Sequence, residues 1–265
     1  MLMTANRRLR ELVGILETTN VLFLRLAAQR NPNAKGYLGR VFREYMYLGG
    51  AGHWRSESIF QFFPELVATQ RRIVLEHVEN EELATPVNEL ALMALATQAV
   101  QPSTIFEIGT YRGRTALNFA LNSPDNCRVY TLDLPPAHEE VSVAHLSAAD
   151  QKLVSNRQPG RDFDGADVQP KITQLLGDST QFDFEPYASA VDLVFVDGGH
   201  TYDIASSDTR AARMMCRPGG VIMWHDWGNY GDYHDVMRAV LDQLPASEVV
   251  QLENTLLAAY RKPLA

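Results

Sequence analysis

Cysteine is scarce. Cys127 and Cys216 are the only two in 265 residues, they lie far apart, and neither has a Cys or His neighbour at metal-ligand spacing. That excludes a disulfide-stapled or zinc-stapled fold and reads as two buried thiols in a reducing, cytoplasmic setting. Basic charge is also short. There are 24 Lys and Arg against 32 Asp and Glu, a formal net charge of −8, which argues against a nucleic-acid partner, whose phosphates demand a basic face. No apolar run is long enough to span a membrane. The first thirty residues place basic residues before apolar ones, as a signal peptide does. Glu11, Glu17 and Arg25 interrupt that run, however, and no small-residue cleavage site follows. Leu9, Leu12, Val13 and Leu16 recur at helical spacing instead. There is no G-x-G-x-x-G and no G-K-[ST], so the dinucleotide fingerprint and the phosphate-binding loop are both missing. Internal repeats and low-complexity tracts are absent.

What the chain does have is a set of apolar runs that end on carboxylates. IFEIG carries Glu107, VYTLD ends at Asp133, ITQLLGD at Asp178, VDLVFVD at Asp197 and GGVIMWHD at Asp226. From Thr85 onward such runs alternate with helical patterns, which implies an α/β fold. The expected order is helix 86–99, opened by Thr85 as N-cap and Pro86 at N1, then strand 104–108, helix 113–122 and strand 128–133. A long segment, 134–169, with a helix near 147–156, precedes strand 171–176. Strand 191–197, helix 201–215, strand 220–225 and helix 233–243 follow, and an antiparallel hairpin closes the chain. The architecture is a doubly wound, mostly parallel seven-stranded sheet with a C-terminal antiparallel hairpin. An N-terminal helical region, 1–84, is expected to hold helices at 5–30, 37–47 and 65–80.

In an open α/β sheet, ligands sit outside the carboxyl ends of the strands. A rim of acids there suits a ligand with hydroxyls, an amine and a positive charge. It suits a phosphate-rich ligand poorly, because phosphate wants amides and cations.

The first strand and its turn read I-F-E-I-G-T-Y-R-G, with Gly109 and Gly113 letting the strand pass into a helix while a ligand approaches the backbone closely. This stretch resembles motif I of the class I S-adenosylmethionine-dependent methyltransferases, in the form used by the catechol and caffeoyl-CoA O-methyltransferase branch. Asp133, 24 residues after Gly109, stands where that family places its ribose-binding acid. Gly177–Ser179 is similar to the adenine-side motif, and VDGGHTYD with WHDW is similar to a branch that includes macrocin-type and cephalosporin-cluster proteins. The resemblance covers roughly 85–265. It implies a Rossmann-like domain that binds S-adenosyl-L-methionine through Glu107, Gly109, Thr110, Tyr111, Gly113, Asp133, Asp178 and Ser179. It implies methyl transfer to a hydroxyl of a small molecule, a sugar or natural product. It also implies a divalent metal such as Mg²⁺ on Asp197 and Asp226, with His225 a replacement ligand where the family has another residue. Asp197 and His200 are the candidate catalytic residues, His200 being the general base if no metal is used.

Trp227, Tyr230 and Tyr233 are candidates for the floor of an acceptor pocket, Trp224 for the core, and His53 with Trp54 for a lid. The N-terminal helices would serve acceptor contacts or a homo-oligomer surface. Rival readings are a non-catalytic cofactor-binding scaffold subunit, a nucleotide-dependent oxidoreductase on a related sheet and, last, a non-haem iron oxygenase.

Overall fold

The computed structural model describes residues 55–68, 71–79, 84–135, 146–147, 150–151, 154, 158–228 and 232–264. All of them belong to the second of two compact units, 1–48 and 49–265. The helices expected at 5–30 and 37–47, the His53–Trp54 pair and Tyr230 lie outside the described residues, as does most of the helix expected near 147–156. None of the described helices is long and apolar enough to cross a membrane.

The elements are β1 (Arg55–Glu57), α1 (Ile59–Phe62), α2 (Val87–Val100), β2 (Thr104–Ile108), α3 (Arg114–Asn122), β3 (Arg128–Asp133) and β4 (Ile172–Leu176). They continue with β5 (Val191–Val196), α4 (Tyr202–Met215), β6 (Cys216–Trp224), α5 (Asp232–Leu241), β7 (Val250–Leu252) and β8 (Ala258–Arg261). The sheet has eight strands in the order β1-β7-β8-β6-β5-β2-β3-β4. β8 runs antiparallel to β6 and β7, and the other pairings are parallel. It therefore has one strand more than the sequence pattern implied. β1 is three residues long and too polar to show an alternation, and it pairs with β7 at the edge.

Side-chain alternation builds the core on both faces. Ile105, Leu193, Phe195 and Met223 point to the α2–α3 side, where Leu90, Met93, Leu117 and Phe119 meet them. Phe106, Ile108, Val194, Ile222 and Trp224 point to the α4 side, against Ala211, Ala212 and Met215. β5 is buried along its whole length, as a central parallel strand covered on both faces must be. Cys127 and Cys216 are both buried and free.

Two local expectations need correction. Pro86 is the N-cap of α2 and not its first helical residue; the Thr85 hydroxyl lies 3.4 Å from that of Thr115 instead. The helix expected at 65–80 is a single 3₁₀ turn at Pro64–Leu66, after which 71–79 has no helical structure. Asn118 and Asn122, on one face of α3, take its place in holding that segment. Asn122 accepts from Val74 N–H at 2.9 Å and donates to Val74 C=O at 2.7 Å. Asn118 does the same with Glu76, at 3.0 and 3.1 Å. Residues two apart on the segment thus meet residues four apart on the helix. An extended strand and a helix repeat at nearly the same distance over those intervals.

Candidate active site

The chain runs β2, β3, β4 to one edge, then returns to place β5 on the other side of β2. That reversal opens a crevice between the carboxyl ends of β2 and β5. Gly109 sits at its mouth with φ +100°, and a Cβ there would lie 1.9 Å from the carbonyl oxygen of Asp197. Only glycine permits that approach. Gly113, with φ +90°, is the N-cap of α3, and a Cβ there would strike the Phe163 ring at 2.5 Å. Tyr111 between them is also left-handed, at φ 49°. The turn is closed by Gly113 N–H donating to Thr110 C=O at 2.7 Å.

A cleft lies over this crevice. Its walls include Tyr111, Asp133, Asp178, Ser179, Asp197 and Asp150. Asp133 accepts from the backbone N–H of Tyr111 and of Leu134, both at 2.7 Å, one on each oxygen. Asp178 accepts from the amide and hydroxyl of Thr180, at 2.9 and 2.7 Å, so it caps its own turn while lining the cleft. A smaller cavity shares Gly109, Tyr111 and Asp197 with the cleft and adds Thr85, Arg112, Arg114, Thr115 and Asp162.

Glu107 does not reach either cavity. It is 1% exposed, and burial pushes its carboxyl well above the usual range, against a hydrogen bond from Thr131 and with help from the charges of Asp197 and Asp133. The Thr131 hydroxyl donates to Glu107 at 2.5 Å. It also lies 2.7 Å from the Thr110 hydroxyl, so a chain Thr110 to Thr131 to Glu107 supports the glycine turn from below.

At the other end, Asp197, His225 and Asp226 converge, with one ligand atom from each lying within 4.8 Å of the others. Strand alternation turns His225 to the α2 face, where its Nε2 meets Glu89 at 2.7 Å. Its Nδ1 lies 3.2 Å from Asp197 and 3.0 Å from Asp226, buried and without a well-formed hydrogen bond. Burial opposes a charge on His225, but Asp226, Asp197 and Glu89 outweigh it and hold its pKa well above the ordinary value. Asp226 has φ 55°, a left-handed conformation that aspartate tolerates better than most residues. Burial would raise its pKa; the charge of His225 and hydrogen bonds from His200 and His225 hold it far below the carboxylate range.

His200 lies between two acids. Its Nδ1 is 2.5 Å from Asp150 and its Nε2 is 2.6 Å from Asp226. Burial works against its charge, but those hydrogen bonds and the charges behind them push it up to about 11. In this arrangement both ring nitrogens donate, so His200 has no lone pair with which to take a proton from a substrate. The general-base role expected of it does not fit; it is a cation bridging Asp150 and Asp226. Trp227 is likewise corrected. It is fully buried and floors no open pocket, while Trp224 packs in the core as its alternation implies and donates to Thr209 at 3.1 Å.

Glu89 and Asp150 escaped sequence reasoning. Glu89 left a faint signal, a single acid on the buried face of α2 beside Leu90 and Met93. Asp150 left none, because its partner is fifty residues away.

A mostly parallel sheet with a glycine turn at its switch point and acids around the cleft is a Rossmann-like arrangement. Residues 106–227 match a family model described as a methyltransferase domain. A putative caffeoyl-CoA O-methyltransferase from Arabidopsis thaliana is 25% identical over 123 residues, 45% of this chain and 50% of the relative. The chain thus spans about half the length of that curated relative. Among solved structures, the S-adenosylhomocysteine-bound methyltransferase PaMTH1 of Podospora anserina is similar at 15% identity and a TM-score of 0.51, covering 87% of this chain and 96% of that one. The O-methyltransferase TomG of Streptomyces achromogenes, in complex with SAM, is 18% identical with a TM-score of 0.48 over 79% and 97%. At 15% identity the likeness to PaMTH1 speaks to the fold alone.

Proposed function

We infer that this chain moves the methyl group of S-adenosylmethionine to a hydroxyl of a small molecule, with a divalent cation at the acid cluster. The observation that carries the reading is Asp133, a carboxylate at the end of β3 on the wall of the cleft, with Asp178 and Ser179 beside it and the Gly109 turn opposite. Asp133 would accept both ribose hydroxyls. Ser179 and Asp178 would face the adenine edge. The second cavity, with Arg112, Arg114 and Thr85, offers donors for the methionine carboxylate.

The metal reading rests on the donor set. His225 carries a buried Nδ1 aimed between two carboxylates; a cation bound there would take the place of the Nδ1 proton, while Glu89 would keep accepting the proton of Nε2. An outer acid that orients a ligating histidine is the usual support of such a site. Asp197, His225 and Asp226 would hold the ion, and two carboxylates with waters suit Mg²⁺. A cation there would lower the pKa of a bound hydroxyl. Asp197 borders both cavities, which supports a role for it beside the methyl group and the acceptor. The rest of the reaction is an in-line displacement, in which positioning supplies most of the rate.

Calorimetry tests the reading. The wild-type chain is expected to bind S-adenosylhomocysteine in the micromolar range, and Asp133→Ala to abolish that binding. A wild type that binds none sinks it.

A further inference from the structure

Asp150 joins two regions that the reaction must bring together. It lines the cofactor cleft with Leu146 and Val154. It also grips His200 twice, accepting the backbone N–H at 3.0 Å on Oδ2 and the ring Nδ1–H at 2.5 Å on Oδ1. Its own position is fixed by a reciprocal turn with Ser147. The Asp150 amide donates to the Ser147 hydroxyl at 3.1 Å, and the Ser147 amide donates back to Asp150 at 3.3 Å. On its far side, His200 delivers Nε2–H to Oδ2 of Asp226 at 2.6 Å. His225 Nδ1 approaches the same oxygen at 3.0 Å.

We propose that Asp150 is a positioning residue that couples occupancy of the cofactor cleft to the geometry of the acid cluster, acting through the imidazole of His200 on Asp226. The inference rests on the S-adenosylmethionine and metal reading above and deepens it. The physical basis is rigidity. A histidine held at one nitrogen can still swing about its side-chain torsions; held at both nitrogens and at its own amide, it has one orientation. Asp226 then presents one oxygen to His200 and keeps the other for an ion. A ligand that packs against Leu146, Asp150 and Val154 stabilises Asp150 in place, and the constraint passes along the bridge. Linkage makes the effect reciprocal: whatever factor the cofactor adds to metal affinity, the metal adds to cofactor affinity.

The test titrates Mn²⁺ into the full chain with and without saturating S-adenosylhomocysteine, and then reverses the order. In the wild type the nucleoside is expected to tighten Mn²⁺ by on the order of 10-fold, and Mn²⁺ to tighten the nucleoside by the same factor. In Asp150→Asn both ligands still bind, and the factor falls to about 1. His200→Gln breaks the bridge from the other side and gives the same loss. Nitrogen-15 NMR of the His200 ring supplies a readout that a merely structural role would not move. Wild type shows two hydrogen-bonded ring protons, and Asp150→Asn loses the Nδ1 signal while keeping the Nε2 one. A wild type that binds both ligands independently, or an Asp150→Asn protein that keeps the full factor, overturns this proposal alone. A wild type that binds no S-adenosylhomocysteine overturns the cofactor reading and this proposal with it.

Discussion

Asp208 provides the sharpest test of how the site is built. It sits on α4, is 0% exposed, and neither of its carboxylate oxygens has a well-formed hydrogen bond. A Cβ on Gly198 would lie 2.6 Å from its Oδ2, so the carboxyl supports the turn that follows Asp197. Burial pushes it from an ordinary 3.8 up to about 7; the Ser179 hydroxyl and Arg210 oppose the rise and the charge of Asp178 adds to it. The folded pKa is above the unfolded one, so between those values the folded protein binds more protons than the unfolded chain. The stability that this group contributes is therefore full below about pH 4 and is lost as pH rises towards 7. A shift of roughly 3 units corresponds to about 4 kcal/mol. Asp208→Asn keeps the shape and removes the charge. Measured by urea unfolding, with the buried Trp224 and Trp227 as fluorescence probes, the variant should gain on wild type by up to about 4 kcal/mol between pH 4.5 and pH 8. Other titrating groups cancel in that difference. A gap that is the same at both pH values would refute the claim that Asp208 is buried without compensation.

Three further outcomes are expected. Asn118→Ala removes both bonds to Glu76, a local cost of about 1–3 kcal/mol; trypsin should cut faster at Arg71 and Arg72 while the global unfolding midpoint moves little, and unchanged cleavage would show that the amide ladder does not hold that segment. Gly109→Ala drives a methyl into the Asp197 carbonyl at a backbone angle that alanine resists, so a lowered melting temperature and lost S-adenosylhomocysteine binding are expected together; a variant that binds normally contradicts the close approach of β2 and β5. Glu89→Gln should keep the bond from Leu256 N–H but present an amide N–H to His225, moving the imidazole proton to Nδ1. Mn²⁺ affinity should then fall roughly 10- to 100-fold, and unchanged affinity would remove His225 from the ligand set.

The strand ends were legible because each obeys a local rule. Apolar runs of five or six residues that carry an acid near their end mark β2, β3 and β5, and the Gly109–Gly113 spacing fixes where β2 turns into α3. The helix expected at 65–80 does not extend through 71–79 because the side-chain amides that hold this segment sit on α3, more than forty residues further on. β1 was invisible for a similar reason: three polar residues gain strand character only from the edge that β7 offers them.

The roles of the acids were legible only in part, because an acid's chemistry is set by its neighbours and the neighbours are remote. Asp133, Asp197 and Asp226 all end strands, yet one is held by two backbone amides, one borders both cavities, and one lies between two histidines. Sequence could place His200 three residues after Asp197. It could not show that Asp150 would close on the second ring nitrogen and turn a candidate base into a fixed cation. The same logic applied to His225 gives the opposite result. With Glu89 behind it, the imidazole has one nitrogen accounted for and the other directed at Asp197 and Asp226. Two histidines in one cluster thus differ in surroundings, and the difference is whether the second nitrogen meets a single well-aligned carboxylate or the gap between two.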